Sequence, residues 1–75
     1  MRIERQKQTN AMVIYKDDAT ILISYSTPVA ALIFGRGYVR TNKFWSVTTS
    51  RHINAWLDDR KAELVDQSVL NELVK

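Results

Sequence analysis

The spacing of hydrophobic residues changes at Val47, and this change divides the chain into a strand-forming part and a helix-forming part. Before Val47, short β-branched and aromatic runs alternate with turn residues, which is the pattern of antiparallel strands. After Val47, apolar residues recur at the i, i+3 and i+4 positions of a helix. We therefore predict an α+β fold, in which an antiparallel β-meander of four to five strands packs against one or two short C-terminal helices.

The first hairpin is predicted from residues 11–16 and 19–25, which flank Asp17-Asp18. An Asp pair between two such runs favours a tight turn. In the second run Ile21, Ile23 and Tyr25 alternate with Thr20, Leu22 and Ser24, so we expect one of its faces to be buried and the other at least half exposed. The expected buried face carries Ile21, Ile23 and Tyr25.

The second hairpin is predicted from residues 29–34 and 38–41. Pro28 lacks a backbone donor, so it is expected at a strand start or an edge. Gly35 and Gly37 allow positive φ on either side of Arg36, which is therefore expected at an exposed loop tip. Residues 44–47 either continue the fourth strand after a bend or form a short fifth strand.

The first helix is predicted after Val47, where Thr48, Thr49 and Ser50 supply hydroxyls for an N-cap. Ile53, Trp56 and Leu57 follow at helical spacing and form a stripe that should lie on the sheet. We expect this stripe to pack against the strand faces that present Ile21, Ile23 and Ile33. The helix should end near Asp58-Asp59, because carboxylates at a C-terminus oppose the helix dipole.

A second helix is predicted after Asp66, the candidate N-cap. Its apolar stripe consists of Val69, Leu70, Leu73 and Val74. The chain contains no internal repeat, low-complexity tract or linker, so residues 1–75 are interpreted as a single small domain.

The composition argues against several classes of protein. A chain of 75 residues buries a small fraction of its surface, so its core is marginal and homo-oligomerisation or a partner is expected to add stability. It has no cysteine and one histidine, so we expect no disulfide, no metal site and no cofactor. No apolar run approaches the ~20 residues that span a bilayer, and no secretory h-region follows the charged N-terminus. We expect a protein of the cytoplasm with no membrane partner.

Charge is distributed unevenly along the chain. The net charge is +3, but there is no acidic residue between Asp18 and Asp58, while the segment after Leu57 is rich in acids. A basic middle is typical of nucleic-acid-binding proteins, and it is equally typical of a solvated sheet face. The cations of this interval are Arg36, Arg40, Lys43 and Arg51.

Few residues suggest catalysis. His52 borders the apolar stripe and is expected to pack along the Trp56 indole, and no Ser or Asp lies at a spacing that would orient it in a triad. The pairs Asp17-Asp18 and Asp58-Asp59 fall at predicted element ends, where Asp is favoured for turn and cap hydrogen bonds. Phosphate-loop motifs are absent from the sequence. We therefore predict no catalytic residue and no enzymatic activity.

The strongest docking candidate is the stretch of residues 38–57, which joins a basic, aromatic run to a hydroxyl-rich helix start. In a strand, Phe44 and Trp45 point to opposite faces, so one ring is expected to be exposed. Exposed aromatic rings near arginine are enriched at interfaces and also stack on unpaired bases. The predicted partner-binding residues are Arg36, Tyr38, Arg40, Lys43, Trp45, Arg51 and His52.

Three segments resemble a known family. They are YSTPVA at 25–30, YVRT at 38–41 and WSVTTSRHIN at 45–54, followed by Trp56. Together they are similar to a family of small uncharacterised proteins of phages, archaeal viruses and their hosts, although Val39 stands where a second tyrosine is expected. The resemblance assigns no activity and no functional residues. It implies a virus-borne setting, in which compact proteins often bind host machinery, as anti-CRISPR and other anti-defence inhibitors do.

The sequence therefore supports two functions. The first is a non-enzymatic inhibitor or adaptor that docks on a host protein or nucleoprotein complex through its basic, aromatic surface. The second is a direct nucleic-acid binder whose Lys and Arg side chains contact phosphates. Salt discriminates between them, because the binding constant of a protein that neutralises phosphates falls steeply with salt concentration, whereas a mixed protein interface depends on it less.

Overall fold

The computed structural model of the chain describes residues 2–5 and 11–74. It confirms the predicted α+β class. The elements, in chain order, are β1 (Arg2–Arg5), β2 (Ala11–Tyr15), β3 (Ala19–Ser24), β4 (Thr27–Ile33), β5 (Gly37–Thr41), α1 (Val47–Leu57), β6 (Glu63–Val65) and α2 (Gln67–Leu73).

The strands form one six-stranded sheet whose spatial order follows the sequence from β1 to β6. The first five strands are an antiparallel meander, of which β2 to β5 were predicted. β6 instead pairs parallel to β5, because α1 carries the chain across one face of the sheet between them. A β5-α1-β6 unit is therefore attached to the meander, and neither β1 nor β6 was predicted.

The turns before and after β3 follow different rules. Asp17-Asp18 closes the hairpin of β2 and β3 as predicted, and the Lys16 N–H donates to the Ala19 carbonyl at 2.8 Å. The next turn is Tyr25-Ser26, with φ of 49° and 70°. Positive φ at both central residues matches the twist of a hairpin but usually recruits Asn and Gly. The prediction that Tyr25 ends a strand was therefore wrong.

The hairpin of β4 and β5 closes at the predicted place. Gly35 and Gly37 have φ of 90° and 105°, and Arg36 between them is exposed. Pro28 is the second residue of β4, beside an irregularity in the pairing with β3, where a missing donor is tolerated. The strand ends at Ile33 and not at Phe34, which is exposed.

Both faces of the sheet are covered, each by a different helix. The residues under α1 and under α2 form two separate clusters. Ile21 and Ile23 belong to the cluster under α2, and Leu22 belongs to the one under α1. The predictions that one face of β3 is half exposed, and that α1 packs on Ile21, Ile23 and Ile33, were therefore wrong. Alternating side chains of β3 are buried on both faces because the two helices cover opposite sides.

Both helices begin at a side-chain cap. Ser46 caps α1, and its hydroxyl accepts a hydrogen bond from the Thr49 N–H at 3.0 Å. The predicted caps at residues 48–50 lie inside the helix, so that prediction was wrong by a few residues. Asp66 caps α2 as predicted. Among the described residues, neither helix is long and apolar enough to cross a membrane.

Candidate partner-binding groove

A groove of about 390 Å³ lies where the carboxyl end of β5 meets the N-terminal half of α1. In a β-α-β unit this is the position at which the connecting loop and the helix start frame a crevice outside the sheet. The groove is lined by Arg40, by residues 41–45, by Thr49, Ser50 and Ile53 of α1, and by Leu64 of β6.

The loop of residues 42–46 is not a strand, so the prediction that residues 44–47 extend the sheet was wrong. Hydrogen bonds hold it across the end of the sheet. The Lys43 N–H donates to Thr41 Oγ1 at 3.1 Å, and Trp45 Nε1 donates to Gln67 Oε1 at 3.2 Å. Gln67 Nε2 in turn donates to the Pro28 carbonyl at 2.7 Å. Trp45 is therefore fixed through Gln67 to β4.

Both aromatic rings of the loop are exposed. Phe44 is 70% exposed and Trp45 is 41% exposed, so neither ring enters the core. The Lys43 ammonium lies 4.1 Å from the centroid of the Trp45 ring, where the face of the ring attracts a cation. The loop thus presents a cation and two aromatic rings together at the mouth of the groove.

Arg40 supplies a second cation on the wall of the groove. Its Nη1 donates to Asn54 Oδ1 of α1 at 3.3 Å. Its Nε is buried and has no hydrogen-bond partner. An arginine presents five donors in a planar fork that suits carboxylates and phosphates. One Nη of Arg40 is thus held by α1, and the positive charge of its guanidinium on the groove wall favours an anionic partner.

Further apolar side chains surround this end of the sheet. Val47, at the start of α1, is 61% exposed, and Tyr25, in the turn after β3, is 52% exposed. The turn and the loop lie at the same end because β3 and β5 run in the same direction. Clustered exposed apolar residues with cations beside them are typical of interaction sites.

A polar cluster fastens α1 to the sheet beside this surface. Ser24 Oγ lies 3.0 Å from Thr49 Oγ1 and 2.9 Å from His52 Nδ1. Ser24 and Thr49 are buried, and the ring of His52 lies 5.9 Å from that of Tyr25. The structure thus brings a serine to His52 that sequence spacing did not reveal. Because the Ser24 hydroxyl is buried, this arrangement positions the helix and does not present a nucleophile.

Three of the residues predicted to bind a partner meet at the groove, namely Arg40, Lys43 and Trp45. Arg51 lies on α1 directly after Ser50, and its side chain is exposed. His52 lies on the polar cluster with Ser24 and not along the Trp56 indole as expected.

Two other predicted residues lie elsewhere. Arg36 is at the opposite end of β5, where its Nε lies 3.2 Å from Glu63 Oε1 in an exposed ion pair. Tyr38 packs edge-on against Trp56, with ring centroids 5.7 Å apart, and the Arg60 guanidinium lies 5.5 Å from the Tyr38 ring. The four cations of the acid-free interval therefore do not form one patch.

The predicted partner-binding residues did not include Leu64, Tyr25 or Val47, although Val47 lies within the docking stretch of residues 38–57. Leu64 is 65% exposed and reaches the groove only because β6 lies beside β5. The apolar pair Leu64-Val65 was a signal for that strand, but two residues are too few to be distinctive.

Searches among curated proteins and among solved structures gave no match. The model of one protein family matches residues 1–72, and that family is described as a family of unknown function, DUF8033. Because the match covers nearly the whole sequence, the chain belongs to this family of unknown function.

Proposed function

We propose that the chain is a non-enzymatic binding protein whose groove docks on an acidic segment of a host protein or nucleoprotein complex. The observation that carries this proposal is the meeting of two cations, Arg40 and Lys43, with the exposed rings of Phe44 and Trp45. Such a site offers charge complementarity to an acid and apolar area to the residues beside it.

The balance of charge and apolar area favours a protein partner. Proteins that bind duplex DNA through its backbone often make about 6–10 phosphate contacts. The groove offers two cations, and the side chain of one already lies over Trp45. Its surroundings instead expose Phe44, Val47 and Leu64, which are anchors for a protein surface.

The resemblance to phage and archaeal-virus proteins supports a setting for this activity. A virus-borne protein of this size that binds a host component acts as an inhibitor or adaptor in the host cytoplasm, for example against a defence system. The buried hydroxyl of Ser24 beside His52 supports a role without catalysis.

Direct nucleic-acid binding is the second candidate, and one observation favours it. The Phe44 ring is largely exposed beside Lys43 and Arg40, and an unpaired base can stack on such a ring while a cation contacts its phosphate. In that case binding weakens steeply as salt concentration rises.

Two exposed phenylalanines at opposite ends of the sheet provide a matched experiment. A photoreactive phenylalanine analogue is placed at Phe44 in one protein and at Phe34, in the β4–β5 turn, in another. Each protein is irradiated in a lysate of the host organism with and without nuclease. We expect nuclease-resistant protein adducts at Phe44 and not at Phe34.

The adducts at Phe44 should disappear when Arg40→Glu and Lys43→Glu are combined, and they should persist with Lys61→Glu, an exposed charge reversal after α1. Adducts consisting of nucleic acid would favour the second candidate. Equal protein adducts at both phenylalanines, or adducts unaffected by the double reversal, would refute docking at the groove.

A further inference from the structure

β6 is an edge of the sheet beside the groove. It is the last strand in the spatial order and, among the described strands, it pairs with β5 alone. An edge strand presents unpaired backbone groups that another chain can extend. A partner strand would therefore pair with the backbone groups of β6 that face outward.

The hydrogen bonds of the β5–β6 pair show which backbone groups of β6 face outward. The Asn42 N–H donates to the Val65 carbonyl at 2.9 Å, so the carbonyl of Val65 faces β5. Backbone groups of successive residues in a strand point to opposite sides. The N–H and carbonyl of Leu64 therefore point away from β5, toward the free edge.

The side chain of Leu64 joins this edge to the groove. Leu64 pairs in register with Arg40, and both side chains line the groove on the α1 face. An additional strand along β6 would place alternate side chains on that same face, beside Leu64 and in line with Arg40. Its remaining side chains would lie on the face of Glu63.

We propose that the docking partner binds as an extended segment, which adds to the free edge of β6 as a seventh strand and directs acidic side chains on the α1 face toward Arg40 and Lys43. This inference rests on the proposed function and specifies its mode of recognition. Backbone hydrogen bonds to Leu64 supply part of the affinity, and the cations of the groove supply the selectivity, as in other cases of strand addition.

Selection from a display library of random twelve-residue peptides tests the proposal without knowledge of the natural partner. We expect the selected peptides to alternate acidic with other residues. Leu64→Pro removes the outward N–H that the sheet does not use, and proline is tolerated at such an edge position. Leu64→Thr is the matched control, since it removes the same apolar side chain but keeps the N–H.

Selected peptides should bind Leu64→Pro at least about tenfold more weakly than Leu64→Thr, because hydrogen bonds worth ~1.4 kcal/mol correspond to a factor of ten. In the unsubstituted protein, the Leu64 amide should exchange with solvent more slowly once peptide is bound, and this measurement does not depend on how the proline variant folds.

The two proposals fail in different ways. Peptides that lose affinity for the combined Arg40→Glu and Lys43→Glu variant, yet bind Leu64→Pro and Leu64→Thr equally and leave Leu64 exchange unchanged, would overturn strand addition and retain the groove. Peptides indifferent to the charge reversals but dependent on the Leu64 N–H would overturn the acidic segment. Failure to select any peptide would overturn the strand-addition proposal, whereas the photo-cross-linking result would still decide the groove.

Discussion

The two faces of the sheet are built from different side chains. The cluster under α2 consists of aliphatic residues and one methionine, and it includes the fully buried Ile21, Val39 and Leu70. The cluster under α1 is bordered by Tyr15, Tyr38 and Trp56. The α1 face also carries the polar group of Ser24, Thr49 and His52, and the guanidinium of Arg40.

This difference indicates that the two faces of the sheet have different roles. Aliphatic side chains on the α2 face gain stability from burial without needing hydrogen-bond partners. The α1 face gives up part of that packing to polar groups, whose hydrogen bonds fix the position of a helix and of the groove beside it. The α2 face should therefore determine stability, and the α1 face should determine binding.

The largest expected loss of stability comes from a substitution on the α2 face. Leu70→Ala removes a side chain that is fully buried, and such a change costs about 2–5 kcal/mol of unfolding free energy. Denaturant unfolding followed by circular dichroism measures the loss, and Val74→Ala, at the exposed C-cap of the same helix, is the control. Similar midpoints for both variants would contradict the assignment of Leu70 to the core.

A smaller effect is expected from the polar cluster of the α1 face. Ser24→Ala leaves the Thr49 hydroxyl and His52 Nδ1 without their shared partner, which costs about 1–3 kcal/mol when polar groups are buried. Thr49→Val, alone and combined with Ser24→Ala, completes a double-mutant cycle. The losses of unfolding free energy in the two single variants should add up to more than the loss in the double variant. Strict additivity would show that the two hydroxyls do not interact.

The next effect concerns the start of α1, which borders the groove. Ser46→Ala removes the oxygen that accepts from the Thr49 N–H, and the loss of such a cap costs ~1 kcal/mol. Thr48→Ala is the control, because Thr48 is exposed within the helix, so its effect should remain within about 0.5 kcal/mol. Thermal unfolding measures both. A larger loss of stability in Thr48→Ala than in Ser46→Ala would show that the cap is one of the hydroxyls predicted from the sequence.

Local chemistry made much of the fold predictable. Asp17-Asp18, the glycines on either side of Arg36 and the Asp66 cap each act through their own backbone, so the sequence identifies them directly. The cap of α1 was misplaced because Ser46 is followed by further hydroxyl residues, and any of these satisfies the same rule.

The remaining features depend on contacts between distant segments. Alternation in β3 cannot indicate whether a second helix covers its second face. Ile21 was therefore predicted to lie under α1, whereas it lies under α2. In the groove, Arg40, Lys43 and Trp45 were predictable because they are neighbours in sequence. Leu64 was not, because a parallel crossover brings it to the site, and short strands form in response to tertiary context.

The smallest expected effect concerns the start of α2, outside the aliphatic face. The Asp66 carboxylate accepts hydrogen bonds from the Ser68 hydroxyl at 2.6 Å and from the Ser68 N–H at 3.1 Å. These bonds, the hydroxyl first, lower the pKa of Asp66 below its ordinary value of 3.8 against a small opposing effect of burial. A lowered folded-state pKa means that the contribution is present above the unfolded pKa and is lost as pH falls through the folded one.

Titration followed by NMR should therefore give Asp66 a pKa below 3.8, and Ser68→Ala should raise it, whereas Ser68→Thr, which keeps a hydroxyl, should change it less. Because Asp66 is exposed, its protonation should fray only the first turn of α2 and leave the Leu70 signals unchanged. A pKa in the Ser68→Ala variant equal to that of the original protein would show that Ser68 does not stabilise the carboxylate. Loss of Leu70 packing in step with Asp66 protonation would show that the cap, and not the aliphatic face, holds this helix on the sheet.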